Sequence, residues 1–271
     1  MKFDKYNFLF VVLLIFHTST LVYMANDFSI AYKEIVIFQN KIGINGFLTH
    51  IFGNKFCSST IAIKLPFIIL YSFSTVIFYL LTEDYFKYQK DRLLAVAIFM
   101  ILPGINSAAL LVNESIVVVF LTLLYLLLYK KTGKENYFLL VLYLFIDNSF
   151  AILYLALFFS SLQKKNDLLL FSTLILFGLS MNLYGFEIVG KPKNYFIDTF
   201  GIYASIFSPF LFVYFFYAIY RFGIKYKKDM FWYLSSTALV LSFVLSLRQK
   251  IDIEDFAPFV VVAIPVMVKM I

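Results

Sequence analysis

Charge is scarce in this chain. Only 14% of its 271 residues are Asp, Glu, Lys or Arg, against about 25% in soluble domains. A water-soluble globule of this size could not cover its surface with so few charges. A soluble enzyme, a disordered chain and a disulfide-rich secreted module are therefore excluded. The single cysteine, Cys57, rules out an internal disulfide and any cysteine-based zinc site. The two histidines, His17 and His50, share no metal-ligand spacing, so no metal is expected. There is no GxxxxGK[ST] phosphate loop and no GxGxxG turn. Glycine (10) and proline (6) are also few. That favours helices over a barrel, whose strands would alternate in polarity over segments of about ten residues.

Apolar residues dominate instead. They make up 62% of the chain, with a mean hydropathy of +0.87, and the class this implies is an all-α polytopic membrane protein. The 35 Phe and 20 Tyr admit two readings. One is an aromatic ligand cavity. The other, which we favour, is a base composition that enriches Phe, Tyr, Ile, Lys and Asn codons. The net charge of +7 does not point to nucleic acid, because the lysines fall in short clusters between apolar runs. Cytoplasmic loops of membrane proteins have that pattern. At the N-terminus, Lys2 and Lys5 precede the run Phe8 to Phe16, which continues through Leu21 to Ala25 with no convincing small-x-small cleavage site after it. A retained first transmembrane helix is expected rather than a cleaved signal.

A crossing helix needs about 20 apolar residues. The candidates are Asn7–Ala25, Ile61–Thr82, Leu93–Leu111, Ser115–Tyr129, Leu168–Leu183, Ile202–Tyr220, Met230–Leu247 and Phe256–Val268. The stretch Tyr137–Leu162 is long enough for one tilted span, but Asp147, Asn148 and Ser149 interrupt it. A carboxylate at mid-bilayer is costly, and two short helices with Asp147 at their tip avoid that cost. The distribution of basic residues decides between the two. With a cytoplasmic N-terminus and a hairpin here, 15 of the 23 basic residues lie inside; a single crossing gives 12 to 11. Only the hairpin keeps a positive-inside bias. The expected architecture is about ten membrane segments, two of them short, in one integral membrane domain (1–271) without a separate soluble domain. Both termini face the cytoplasm, across the cytoplasmic (inner) membrane.

The outside then carries three polar loops. The first, 26–60, sets Ile30, Ile35, Ile37, Phe38 and Ile42 among Lys33, Glu34, Gln39 and Lys41, a spacing that suits an amphipathic helix on the outer interface. The second, Tyr184–Gly201, carries Glu187, Lys191, Lys193 and Asp198, and the third is Arg248–Asp255. The inner loops are short and basic, too small for a nucleotide-binding domain, so chemistry is expected on the outer face.

Asp27 is the acid just beyond the first span, followed by Tyr32, Lys33 and Glu34. Asp27 and Glu34 are seven apart, and one helical face holds both if the helix begins early enough. A base there could be reached by a lipid-borne donor from the side and by an acceptor from outside; the plainer role for Asp27 is a helix cap. Lys64 stands four residues into the second span, before Leu65-Pro66. It either snorkels to the interface or pairs with a phosphate. Glu114 opens the fourth span, where a carboxylate suits a helix start. Asp147 either takes part in the site or is solvated at the hairpin tip. Arg248 and Lys250 are the only basic residues at the last outer edge, and guanidinium groups favour phosphate through paired hydrogen bonds.

In this order the features resemble the lipid-sugar-dependent glycosyltransferases of the GT-C fold, in particular the protein mannosyltransferase and aminoarabinose transferase branch. In that branch an Asp-Glu with a nearby Tyr follows the first span; here the segment is Asn26-Asp27-Phe28-Ser29-Ile30-Ala31-Tyr32. Phe52-Gly53-Asn54 and Lys64-Leu65-Pro66 match a Phe-Gly-Asn phrase and an Arg-Leu-Pro opening of the second span. Leu102-Pro103-Gly104, Glu114, and the run from Arg248 to Pro258 with Pro265 match the later motifs. Phe28 replaces the second acid of the pair, and Lys64 replaces the arginine. The resemblance implies that Asp27 is the catalytic acid position and that Arg248 and Lys64 lie near a lipid phosphate. It further implies that a polyprenyl-phosphate-linked sugar is the donor and an envelope glycan or protein the acceptor. The competing expectation is a non-enzymatic membrane protein, either a transporter of lipid-linked sugars or a scaffold subunit of an envelope complex.

Overall fold

A computed structural model describes residues 5–40, 43–55, 60–185 and 193–271. Lys2, Lys41, Cys57, Glu187 and Lys191 lie outside the described residues. All regular structure among the described residues is helical. Among the described residues, three helices are long and apolar enough to cross a membrane, or five if each of two bent pairs counts as one span. The chain forms two compact units, 1–124 and 125–271.

The first unit contains α1 (Lys5–Asp27), α2 (Tyr32–Asn40), α3 (Gly43–Lys55), α4 (Thr60–Leu81), α5 (Gln89–Ile101), α6 (Pro103–Leu110) and the start of α7 (Glu114–Thr132). The loop expected to hold one interfacial helix holds two, α2 and α3. The expected third span is bent by 52° between α5 and α6. Pro103 stands at the first position of α6, where its missing N–H costs nothing, and the residue before a proline is driven out of the helical region. A polar cluster marks each end of this unit. At one end the Tyr79 hydroxyl donates to Asn7 Oδ1 at 2.6 Å, with Arg92 alongside. At the other lie Phe28, Ser29 and Lys64. Two side-chain bridges cross the middle, His17 Nε2 to Asn106 Oδ1 at 3.1 Å and Thr18 Oγ1 to Ser72 Oγ at 3.2 Å. Lipid tails are as apolar as leucine, so bridges and close packing must hold such helices together.

The second unit holds the end of α7, then α8 (Tyr137–Tyr143), α9 (Phe150–Lys164), α10 (Asp167–Leu183), α11 (Phe196–Phe207), α12 (Pro209–Lys225), α13 (Met230–Ser246), α14 (Ile253–Val260), one 3₁₀ turn (Val261–Ala263) and α15 (Ile264–Lys269). The helix breaks at 144–149, where the polar trio was expected to break it. Tyr154 then donates to the carbonyl of Leu140 at 2.8 Å and ties α9 back to α8. Two expected spans come out differently. The run Ile202–Tyr220 turns by 102° between α11 and α12. Ser208 takes φ 71° there, and Pro209 opens α12. Aromatic rings fill the elbow: Phe212 meets Phe200, Tyr203, Phe207 and Phe216 at centroid distances of 4.8–6.0 Å. The run Phe256–Val268 is broken by the 3₁₀ turn and is buried except for half-buried Ala257, packed against α13 and α12. It is core of this unit.

This unit also has two polar ends. Lys164 donates to the Tyr129 hydroxyl at 2.8 Å, Tyr233 donates to Gln163, and Lys269 lies 5.6 Å from the Phe222 ring. The basic stretches 130–134, 164–165 and 221–228 and Lys269 therefore share one end. At the other end Ser149 donates to Asp255, and the N–H of Tyr195 donates to the Ser246 carbonyl. α8 runs away from the basic end, and α9 returns to it.

Candidate functional site

Asp27 is the last residue of α1 and is exposed. Its carboxylate makes no hydrogen bond or ion pair with the described residues. Its position is electrostatically unfavourable, since a helix C-terminus carries partial negative charge. It does not cap α2. Residues 28–31 separate the two helices, so Asp27 and Glu34 do not share a helical face.

Glu34 provides the cap. It is the third residue of α2, 4% exposed, and its Oε2 accepts the N–H of Ala31 at 2.9 Å. That is the glutamate half of a capping box. Its Oε1 accepts the N–H of Val112 at 2.9 Å, in the gap between α6 and α7. Both oxygens of a buried carboxylate are thus engaged by backbone donors. Tyr32, at the first position of α2, is 82% exposed.

Lys64 is 0% exposed. It does not snorkel to water. Its ammonium donates to the carbonyls of Phe28 at 3.1 Å and Ser29 at 3.5 Å, and lies 5.7 Å from the Phe28 ring centroid. A buried ammonium needs such acceptors, and these carbonyls are freed by the end of α1. Lys64 therefore fixes the two residues that follow Asp27. Glu114 is the first residue of α7 and is exposed. Its carboxylate approaches the N-terminal residue of α3, where a Cβ on Gly43 would lie 3.3 Å from Glu114 Oε1. Gly43 has φ +63°, a conformation that favours glycine. Asp27, Glu34, Lys64 and Glu114 all belong to the first unit, at its end away from Asn7.

Asp147, Arg248 and Lys250 belong to the second unit, at its end away from Lys164. Asp147 is 7% exposed, so it is not solvated at the tip. Its Oδ1 accepts the N–H of Ser149 at 2.8 Å, a local turn that satisfies the carboxylate within the break. Asn148 and Ser149 donate to the two oxygens of Asp255 at 3.3 and 3.2 Å. Arg248 and Lys250 are exposed. The Arg248 carbonyl accepts the N–H of Lys193 at 3.2 Å, while its guanidinium has no partner among the described residues. Among the described residues, no three His, Cys, Asp or Glu side chains gather as a metal site requires.

Two polar clusters escaped the sequence reading. Arg92 is buried, donates twice to the Tyr79 carbonyl at 3.0 and 2.8 Å, and stacks 3.5 Å from the Tyr79 ring centroid. Phe10 covers the opposite face of that ring at 3.9 Å. At the basic end of the second unit, Glu135 accepts the Tyr125 hydroxyl and pairs with Lys164 at 3.9 Å. The only sequence signal for Glu135 was its place as a lone acid in a basic loop.

No family model matches the chain, and no curated protein or solved structure is significantly similar to it.

Proposed function

We propose that the chain is a multi-pass membrane enzyme of GT-C type that transfers a sugar from a polyprenyl-phosphate carrier to an envelope glycan or protein. It works on the extracytoplasmic face of the cytoplasmic membrane, with about ten membrane segments and both termini inside. One observation carries the reading. Asp27 is an exposed carboxylate at a helix end with no partner among the described residues, and the two residues after it are held by the buried Lys64. An exposed acid without a partner among the described residues, next to a fixed stretch of backbone, suits a role on a substrate. Asp27 accepts the proton of the acceptor hydroxyl as that oxygen bonds to the anomeric carbon. The bond from that carbon to the phosphate oxygen breaks, and the polyprenyl phosphate leaves with the electron pair. Lys64 and Glu34 act as positioning residues. On the second unit, Arg248, whose guanidinium has no partner among the described residues, has the chemistry to hold a phosphate oxygen.

The test is transfer by the purified protein from radiolabelled polyprenyl-phosphate sugars. Asp27→Asn should lower the rate by about 10²–10⁴-fold with folding unchanged. A folded Asp27→Asn protein of full activity removes Asp27 from this role. A wild-type protein that transfers nothing from any carrier favours the non-enzymatic reading, a transporter of lipid-linked sugars or a scaffold subunit.

A further inference from the structure

The second unit carries an open slot of about 780 Å³ between α9, α12 and α13, with walls that include Phe159, Phe216, Thr237 and Val244. Its lining is almost wholly apolar. The slot is preformed by two residues. Gly223 has no side chain, and a Cβ there would lie 3.0 Å from Trp232 Cζ2. The indole therefore lies flat against α12, with Nε1 donating to the Ile219 carbonyl at 2.9 Å. From Trp232 to Val244 the slot follows about 18 Å of helix. That is close to the depth of one leaflet, half of a hydrocarbon core of about 30 Å.

One end of the slot is charged and the rest is not. Lys228 lines that end, and its ammonium stands 4.7 Å from the Trp232 ring centroid. Arg221, Lys225 and Lys227 lie on the same turn and loop. The nearest acid in sequence, Asp229, accepts the N–H of Trp232 at 2.9 Å as the N-cap of α13. A tryptophan beside lysines marks the headgroup level of a membrane. An apolar trough one leaflet deep with a basic mouth is complementary to one acyl chain below an anionic head.

We propose that this slot binds an anionic glycerophospholipid, with one acyl chain along α13 and its phosphate at Lys228. The site lies at the basic end of the second unit, away from Asp147 and Arg248. It does not depend on the glycosyl-transfer reading.

Trp232 is the only tryptophan in the chain, so its fluorescence reports on the slot alone. The full chain is reconstituted in vesicles containing phosphatidylglycerol or phosphatidylcholine with brominated acyl chains. Brominated phosphatidylglycerol should quench Trp232 at a several-fold lower mole fraction than brominated phosphatidylcholine. Lys228→Gln should cut that preference about fivefold, the equivalent of about 1 kcal/mol for one basic residue at a membrane surface. Val240→Phe, which fills the slot, should weaken quenching by both lipids. Equal quenching by the two lipids, or a preference unchanged in Lys228→Gln, overturns the proposal. So does quenching unchanged in Val240→Phe. Relief of quenching by polyprenyl phosphate at a lower mole fraction than phosphatidylglycerol also overturns it and gives the slot to the carrier lipid.

Discussion

The carboxylate of Glu34 accepts the backbone N–H of Val112 at 2.9 Å across 78 residues of chain. One side chain thus caps α2 and closes the gap between α6 and α7. The geometry distinguishes this residue from its exposed neighbour Asp27, although both are acids in the same short segment.

Removing Glu34 should therefore cost stability before it costs chemistry. Glu34→Ala leaves the buried N–H of Val112 without an acceptor, at about 1–3 kcal/mol, and uncaps the N–H of the exposed Ala31. The apparent Tm in detergent should fall clearly, while Asp27→Asn leaves it within error. Glu34→Gln should fall between, since its amide keeps one acceptor and turns a donor toward the other N–H. A Glu34→Ala protein as stable as wild type would show that the bond to Val112 is not formed.

Arg92 makes a second stability prediction. Its guanidinium bonds the Tyr79 carbonyl through two nitrogens and lies flat on the ring. Lysine keeps the charge but can do neither. Arg92→Lys should destabilise the protein by about 1–3 kcal/mol. The exposed Arg221→Lys should change stability by less than about 0.5 kcal/mol. Paired thermal melts of the two variants check this, and equal melting points would remove the stack from the account.

The two ends of the second unit predict which residues face which side. With Cys57 replaced by serine, single cysteines at Asn148 and Arg248 should react with an impermeant maleimide added to intact cells. Cysteines at Lys134 and Lys165 should react only after permeabilisation. Labelling of the Lys165 cysteine in intact cells would mean that 137–162 crosses the membrane only once.

The sequence revealed more about the ends of helices than about their surroundings. Asp147-Asn148-Ser149 broke an apolar run visibly, and the helix does break there. Ser208-Pro209 offered a comparable cue, because a residue before proline avoids helical backbone. The apolar run continues on both sides of it, so hydropathy alone carries a single span through the turn. Phe256–Val268 is a subtler case. A helix buried in protein and a helix facing lipid have the same composition, so hydropathy alone does not show that this segment is enclosed by its own unit. At the candidate site, the unusual placement of Asp27 and Lys64 was legible. The role of Glu34 was not, because Ala31 stands where a capping box would have Ser or Thr, leaving only half of the signature.

Helix length sets a thickness as well as a count. α1 and α4 have 23 and 22 residues, about 33–35 Å of helix. α9, α10, α12 and α13 have 15 to 17, about 23–26 Å. A hydrocarbon core of about 30 Å lies between these two values. Long helices meet it by tilting, and short ones by drawing the bilayer thinner, at a fraction of a kcal/mol per Å. On the proposed topology of about ten membrane segments, the second unit would thin the bilayer around it, and a thin membrane would suit the chain best.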